Sequence, residues 1–208
     1  MAHAIERAIN QRTHLVAEAG TGTGKTFAYL IPAILSGKKT IISTGTRNLQ
    51  DQIFEKDFPL IRDILKRPVE GAVLKGRANY LCLYRLNQAK MQVSSLIKET
   101  DVELTEIERW SHQTLEGDIA EVTSVAEDSL VWQQVTSTAD NCLGQECPMV
   151  SECFPLIARK KAQEVDVLIV NHHLLCADWS LKDDGFGQLL PEAELIIIDE
   201  AHQLIDTA

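Results

Sequence analysis

Residues 19–26 read AGTGTGKT. Before them lies HLVAEAG at 14–20, read as a short buried strand; KTFAYLIPAILS at 25–36 follows and is read as an apolar helix. A strand that turns through glycines into a helix is the phosphate-loop pattern G-x-x-x-x-G-K-[ST], here with Ala19 at the first position. Gly20, Gly22 and Gly24 let the backbone turn tightly, so that its N–H groups face phosphate oxygens. The helix N-terminus adds partial positive charge. In this geometry Lys25 reaches the β- and γ-phosphates and the Thr26 hydroxyl ligates magnesium. Thr21 and Thr23 complete the nucleotide-binding run as polar loop residues.

A second motif fits the first. Residues 195–202 read LIIIDEAH, an apolar strand ending in two acids. In an open α/β sheet, ligands bind at the C-terminal ends of the strands, which is also where a phosphate loop sits. Asp199 is then placed to hold the magnesium shell, and Glu200 to orient or deprotonate the water that attacks the γ-phosphate. Lys25, Asp199 and Glu200 are therefore the candidate catalytic residues of a nucleoside triphosphatase. The chain has no Leu-Ser-Gly-Gly-Gln signature and no Asn-Lys-x-Asp base-reading motif, which argues against transporter-type and GTPase readings.

The remaining pattern builds outward from these two motifs. TIIST at 40–44 and VEGAVL at 69–74 read as strands. Residues 47–66 have mostly helical spacing, with Pro59 as an interruption, and Pro32 is expected to kink or break the helix at 25–36. Residues 81–135 carry long polar helix-favouring stretches, 139–153 form a Cys-rich loop, and 154–164 a short helix. VDVLIV at 165–170 and LIIIDE at 195–200 are β-branched runs expected to be buried on both faces, with a loop over 178–192 between them. The order is βαβα with a helical insertion, so the fold class is α/β with a parallel sheet and flanking helices.

Composition sets limits and then misleads. The 208 residues are 45% hydrophobic and 24% charged, as in folded globular chains. No apolar run reaches the roughly 18 residues needed to span a bilayer, and MAHAIERAINQRTHL lacks the apolar core of a signal peptide. A cytoplasmic protein with no membrane partner is expected. The formal charge of −10 argues against a nucleic-acid binder. Its distribution reverses that: residues 1–98 carry 15 bases and 7 acids, whereas 99–130 carry 10 acids and one base. The bases lie with the phosphate loop, where anionic ligands would bind.

Of the five cysteines, Cys142, Cys147 and Cys153 cluster as C-x4-C-x5-C, with Cys82 preceding them and Cys176 apart as a core cysteine. These spacings are looser than the usual zinc pairs. A four-thiolate iron–sulfur cluster tolerates them and accepts a distant ligand. Spacing alone leaves the cluster, zinc and independent buried thiols all open.

Taken together, these motifs resemble the XPD/DinG family of iron–sulfur DNA helicases. The resemblance runs through Ala19–Thr26, then STGTRNLQDQ at 43–52, GRANYLC at 76–82, VNHHLL at 170–175, and Asp199–His202. The order of phosphate loop, four cysteines and Asp-Glu-Ala-His carries it. It implies an incomplete RecA-like P-loop domain over 1–76 and 161–208, interrupted by an inserted iron–sulfur domain at 77–160. The second RecA-like domain is absent, so the chain is expected to be the front portion of a two-domain motor. ATP, Mg²⁺ and a [4Fe-4S] cluster on Cys82, Cys142, Cys147 and Cys153 are the implied cofactors. Single-stranded and forked duplex DNA are the implied partners, with replication or repair proteins. Thr46, Arg47, Arg77 and Tyr80 would touch DNA, with Lys75, Arg85 and Arg159 nearby. The implied activity is ATP-driven 5′–3′ translocation and unwinding, with the isolated portion binding ATP and DNA but not unwinding. The alternative is a truncated cluster-bearing DNA-binding or regulatory module without productive ATPase. Exposed apolar surface is expected where further chain would dock.

Overall fold

The computed structural model describes residues 1–20, 22–92, 98–183, 185 and 188–205. The chain divides into two compact units: Met1–Leu74 with Lys161–Ala208, and Lys75–Lys160.

The first unit opens with α1, Ala2–Gln11, which no sequence signal had marked. The stretch 14–20 that follows is not a strand. Leu15 is 43% and Val16 98% exposed, and among the described residues no strand pairs with this segment. A strand needs a hydrogen-bonding neighbour, and without one its N–H and C=O groups go to water. Helix α2, Lys25–Ser36, runs unbroken with Pro32 inside it. Proline in a helix interior costs about 3 kcal/mol. Leu30 and Ile34 are fully or almost fully buried beside it, and each such side chain contributes roughly 1.5–3 kcal/mol, which offsets the cost. Strand β1, Thr40–Thr44, is buried throughout. Helices α3, Arg47–Gln52, and α4, Phe58–Leu65, are joined by a π-helical turn at Ile53–Asp57. Pro59 sits at the start of α4, where its missing N–H costs least. Strand β2 is Gly71–Val73.

The second unit holds α5, Leu83–Gln92, α6, Lys98–Ser111, α7, Val131–Val135, and the start of α8, Phe154–Glu164. Its core includes Leu81, Leu86, Leu104, Ile107, Val131 and Val135, all at most 3% exposed. The cysteine loop consists of two short 3₁₀ turns, Gly144–Glu146 and Val150–Glu152.

The chain then returns to the sheet. Strand β3, Val167–Asn171, leads directly into α9, His172–Asp183, and strand β4 is Leu195–Ile198. The loop expected from 178 thus begins later. Asp178 is buried within the helix, where its Oδ1 accepts the N–H groups of Leu189 and Leu190 at 2.7 and 2.9 Å. The sheet is parallel, with strand order β2-β3-β1-β4. Beneath it, α2 and α4 pack Tyr29, Leu30, Ile34, Phe58 and Ile61 against Ile42, Val167 and Ile169. β3 is buried on both faces as its sequence demands, but β4 is not. Among the described residues it pairs with β1 alone, and Ile196 is 44% exposed. Ile205, beyond β4, is also exposed.

Candidate functional site: a phosphate loop facing an acidic pair

The phosphate loop takes the shape its glycines allow. Gly22 and Gly24 have φ values of 72° and 80°, in the left-handed region where a side chain is unfavourable. Gly24 caps α2, so the N–H groups of the first turn are free of helical partners. Thr23 Oγ1 donates to the Gly20 carbonyl at 2.8 Å, which braces the loop from within. Thr21 lies outside the described residues. Ala19 precedes the turn, and Thr26 lies in the first turn of α2.

Across the sheet edge stands the acidic pair. Lys25 Nζ donates to Glu200 Oε1 at 2.7 Å, joining residues far apart in sequence. That hydrogen bond holds the Lys25 ammonium above its ordinary value and the Glu200 carboxyl below its own. Asp199 is held at three points. Its N–H donates to the Ser43 carbonyl at 2.8 Å. Its Oδ1 accepts the Glu200 N–H at 3.0 Å, and its Oδ2 accepts the Tyr29 hydroxyl at 3.1 Å. Thr26 and Asp199 offer hard oxygen donors, the ligand type that magnesium takes. His202 Nδ1 lies 3.5 Å from Glu200 Oε2, on an exposed 3₁₀ turn.

Two further contacts tie this edge to its neighbours. His172 is fully buried, with Nδ1 2.7 Å from Ser43 Oγ; burial lowers its pKa. Ser43 pairs in the sheet with Val170 of β3, the strand that runs directly into His172 at the start of α9. Gly45 is approached so closely by Gln203 that a Cβ there would lie 1.9 Å from Gln203 Oε1. Tyr29 and Gln203 escaped the sequence reading. Tyr29 had one visible signal, a hydroxyl three residues beyond Thr26 in a helix otherwise apolar at that position.

The residues expected to meet DNA divide. Thr46 and Arg47 are exposed at the start of α3, where Thr46 Oγ1 accepts the Leu49 N–H at 3.3 Å. Arg77 is half-buried. Tyr80 is not available for base stacking: it is 4% exposed, and its hydroxyl accepts the Lys75 N–H at 3.0 Å. Lys75 is likewise committed, 7% exposed and paired with Asp118 at 2.7 Å.

The four cysteines of the second unit are free thiols, each half-buried. Burial pushes the Cys82 thiol up, and Cys147 and Cys153 add to that push. The Arg159 guanidinium, partly buried beside Arg77, is in turn influenced by Cys142 and Cys153. Cys82 is thus influenced by Cys147 and Cys153, and Arg159 by Cys142 and Cys153. Among the described residues, no group of three His, Cys, Asp or Glu side chains is gathered to hold a metal ion.

A glycine-turned loop capping a helix, its lysine bonded to an acid at the end of a parallel strand, defines a P-loop nucleotide-binding protein. More narrowly, the chain belongs to the DEAD/DEAH box helicase family, whose profile matches residues 2–128. It is 54% identical over 208 residues to the ATP-dependent DNA helicase YoaA of Haemophilus influenzae, covering 100% of this chain and 32% of that protein. Identity to YoaA of Escherichia coli is 52%, covering 33% of it. The ATP-dependent helicase DinG of Mycobacterium tuberculosis is 35% identical, matched over 99% of this chain and 34% of its own length. The chain therefore spans about a third of the length of these relatives. A solved structure described as truncated XPD has the same fold, with a TM-score of 0.52 at 16% identity, covering 97% of this chain and 52% of that one. No described helix is long and apolar enough to cross a membrane.

Proposed function

We propose that this chain is the nucleotide-binding motor portion of an ATP-dependent 5′–3′ DNA helicase. The bond between Lys25 and Glu200 carries the reading, because it brings the phosphate loop and the acidic pair to one sheet edge. In the proposed mechanism, the N–H groups from Gly22 to Thr26 cradle the phosphates. Lys25 exchanges its bond with Glu200 for the β- and γ-phosphate oxygens. That exchange frees the Glu200 carboxylate to hold and deprotonate the attacking water. Thr26 and Asp199 would hold Mg²⁺, which when bound neutralises charge on the phosphates. Thr46 and Arg47, exposed beyond β1, are the proposed contacts to the backbone of single-stranded or forked DNA, with Arg77 a further contact in the second unit.

Cys82, Cys142, Cys147 and Cys153 would hold a [4Fe-4S] cluster. The influence of Cys147 and Cys153 on Cys82, and of Cys142 and Cys153 on Arg159, supports that set, since such a cluster takes one thiolate per iron. Replication or repair proteins in the cytoplasm are the proposed company, a reading supported by the helicase names of the relatives.

The test is nucleotide binding and hydrolysis with single-stranded DNA present. Lys25→Ala is expected to abolish ATP binding. Glu200→Gln is expected to keep binding while lowering DNA-stimulated turnover in the longer motor about 10²–10⁴-fold. Turnover retained in both variants overturns these roles. The 208-residue chain alone is expected to bind ATP and DNA without separating a duplex, and ATP-driven strand displacement by it overturns that expectation.

A further inference from the structure

We infer that Tyr29 is a positioning residue for the magnesium-holding pair, its hydroxyl fixing the carboxylate of Asp199 from within helix α2. The inference deepens the nucleotide-site reading above and rests on it.

The geometry starts with helical spacing. Thr26 and Tyr29 are three residues apart on α2 and therefore share a face. That face looks toward the end of β4, because the Tyr29 hydroxyl lies 3.1 Å from Asp199 Oδ2. The other oxygen, Oδ1, accepts the Glu200 N–H at 3.0 Å. With each oxygen engaged by a different donor, the carboxylate plane cannot turn about its terminal bond. Each oxygen still keeps a lone pair for a ligand.

The ring supports the hydroxyl. Tyr29 is 5% exposed and packs with Leu30, Ile34, Ile42 and Phe58 in the core beneath the sheet. A phenylalanine would satisfy that core equally well. Burying a hydroxyl there costs free energy unless it is bonded, and Asp199 Oδ2 accepts from it. A phenol is protonated at neutral pH and so serves as the donor. A carboxylate already set in place binds magnesium without first losing rotational freedom.

The experiment measures binding of a fluorescent ATP analogue to the 208-residue chain, with excess Mg²⁺ and with EDTA. The ratio of the two affinities is the magnesium gain. Tyr29→Phe is expected to reduce that gain about tenfold, the lower end of the worth of a hydrogen bond to a charged group. Affinity in EDTA should stay within twofold of wild type. The double variant Tyr29→Phe/Asp199→Asn should show no smaller gain than Asp199→Asn alone, since Tyr29 acts through Asp199. An unchanged gain in Tyr29→Phe overturns the inference while leaving the nucleotide site standing. Additive losses in the double variant overturn it too, by showing that Tyr29 acts elsewhere. If the wild-type chain binds no nucleotide in either condition, the nucleotide site itself falls and the inference falls with it.

Discussion

Glu200 adopts a φ of 52°, a left-handed conformation that costs a side-chain-bearing residue about 1–2 kcal/mol. Such strain persists where surrounding contacts over-determine it. Here the contacts are the Lys25 bond on one side and the Asp199 carboxylate accepting the Glu200 N–H on the other. The pair also has a pH signature. Glu200 is held below 4.5 and Lys25 above 10.5, both first by their mutual hydrogen bond. Its contribution is therefore whole between those values. Acid removes it as pH falls through the depressed Glu200 value, and alkali removes it as pH rises through the raised Lys25 value. In Lys25→Ala the Glu200 carboxyl should titrate closer to its ordinary value, an upward shift read by carboxyl ¹³C NMR. An unmoved titration would remove Lys25 as the cause. At this scale the motif residues were legible because each belongs to a short run with one chemistry. Tyr29 on Asp199, and Gln203 against Gly45, were not, since both contacts exist only once distant segments meet.

Helix α9 shows how an element can hide in sequence. Its buried face includes His172, Leu175 and Asp178, a mixture with little amphipathic contrast. Asp178 earns its buried place by accepting two loop N–H groups and pairing with Lys182 at 2.7 Å. Asp178→Ala leaves both donors without that acceptor and should cost about 2–4 kcal/mol, read as a lowered denaturation midpoint in urea. A shift below about 0.5 kcal/mol would mean that water replaces the carboxylate freely. Other elements were plain: 25–36, 40–44 and 154–164 form over the residues their patterns mark. Apolar runs identified β3 and β4, but not that β4 would lie at an edge, because burial depends on neighbours rather than on composition. The same reasoning undoes 14–20, whose apolar residues lack a ladder to join. Since β4 has no second neighbour among the described residues and exposes Ile196, Ile196→Lys should reduce concentration-dependent self-association in sedimentation velocity. Association that is equally strong in the variant would place the sticky surface elsewhere.

At the scale of the molecule, total charge was the least informative number. The −10 hides a basic first half containing the phosphate loop and the exposed Arg47. Binding to single-stranded DNA should therefore be measurable at low salt and fall steeply as salt rises. Binding indifferent to salt would contradict a backbone-directed contact. Anaerobically purified protein should contain about four irons and four sulfides, lost together when Cys82, Cys142, Cys147 or Cys153 becomes serine. Stoichiometric zinc without iron would replace that assignment.

The place of the second unit in the chain has a consequence of its own. Lys75–Lys160 lies wholly between β2 and β3, two strands hydrogen-bonded side by side. Counted as polymer, it is a very long loop closing on adjacent strands. Closing a loop of that length rather than a short turn costs about 2–3 kcal/mol of chain entropy when the intervening residues are unfolded. Folding the second unit removes most of that cost. Whatever orders its thiols thereby strengthens the β2–β3 pairing through the tether alone. The amides of β2 should exchange with solvent faster when Cys82 is replaced, even though the strand itself is untouched.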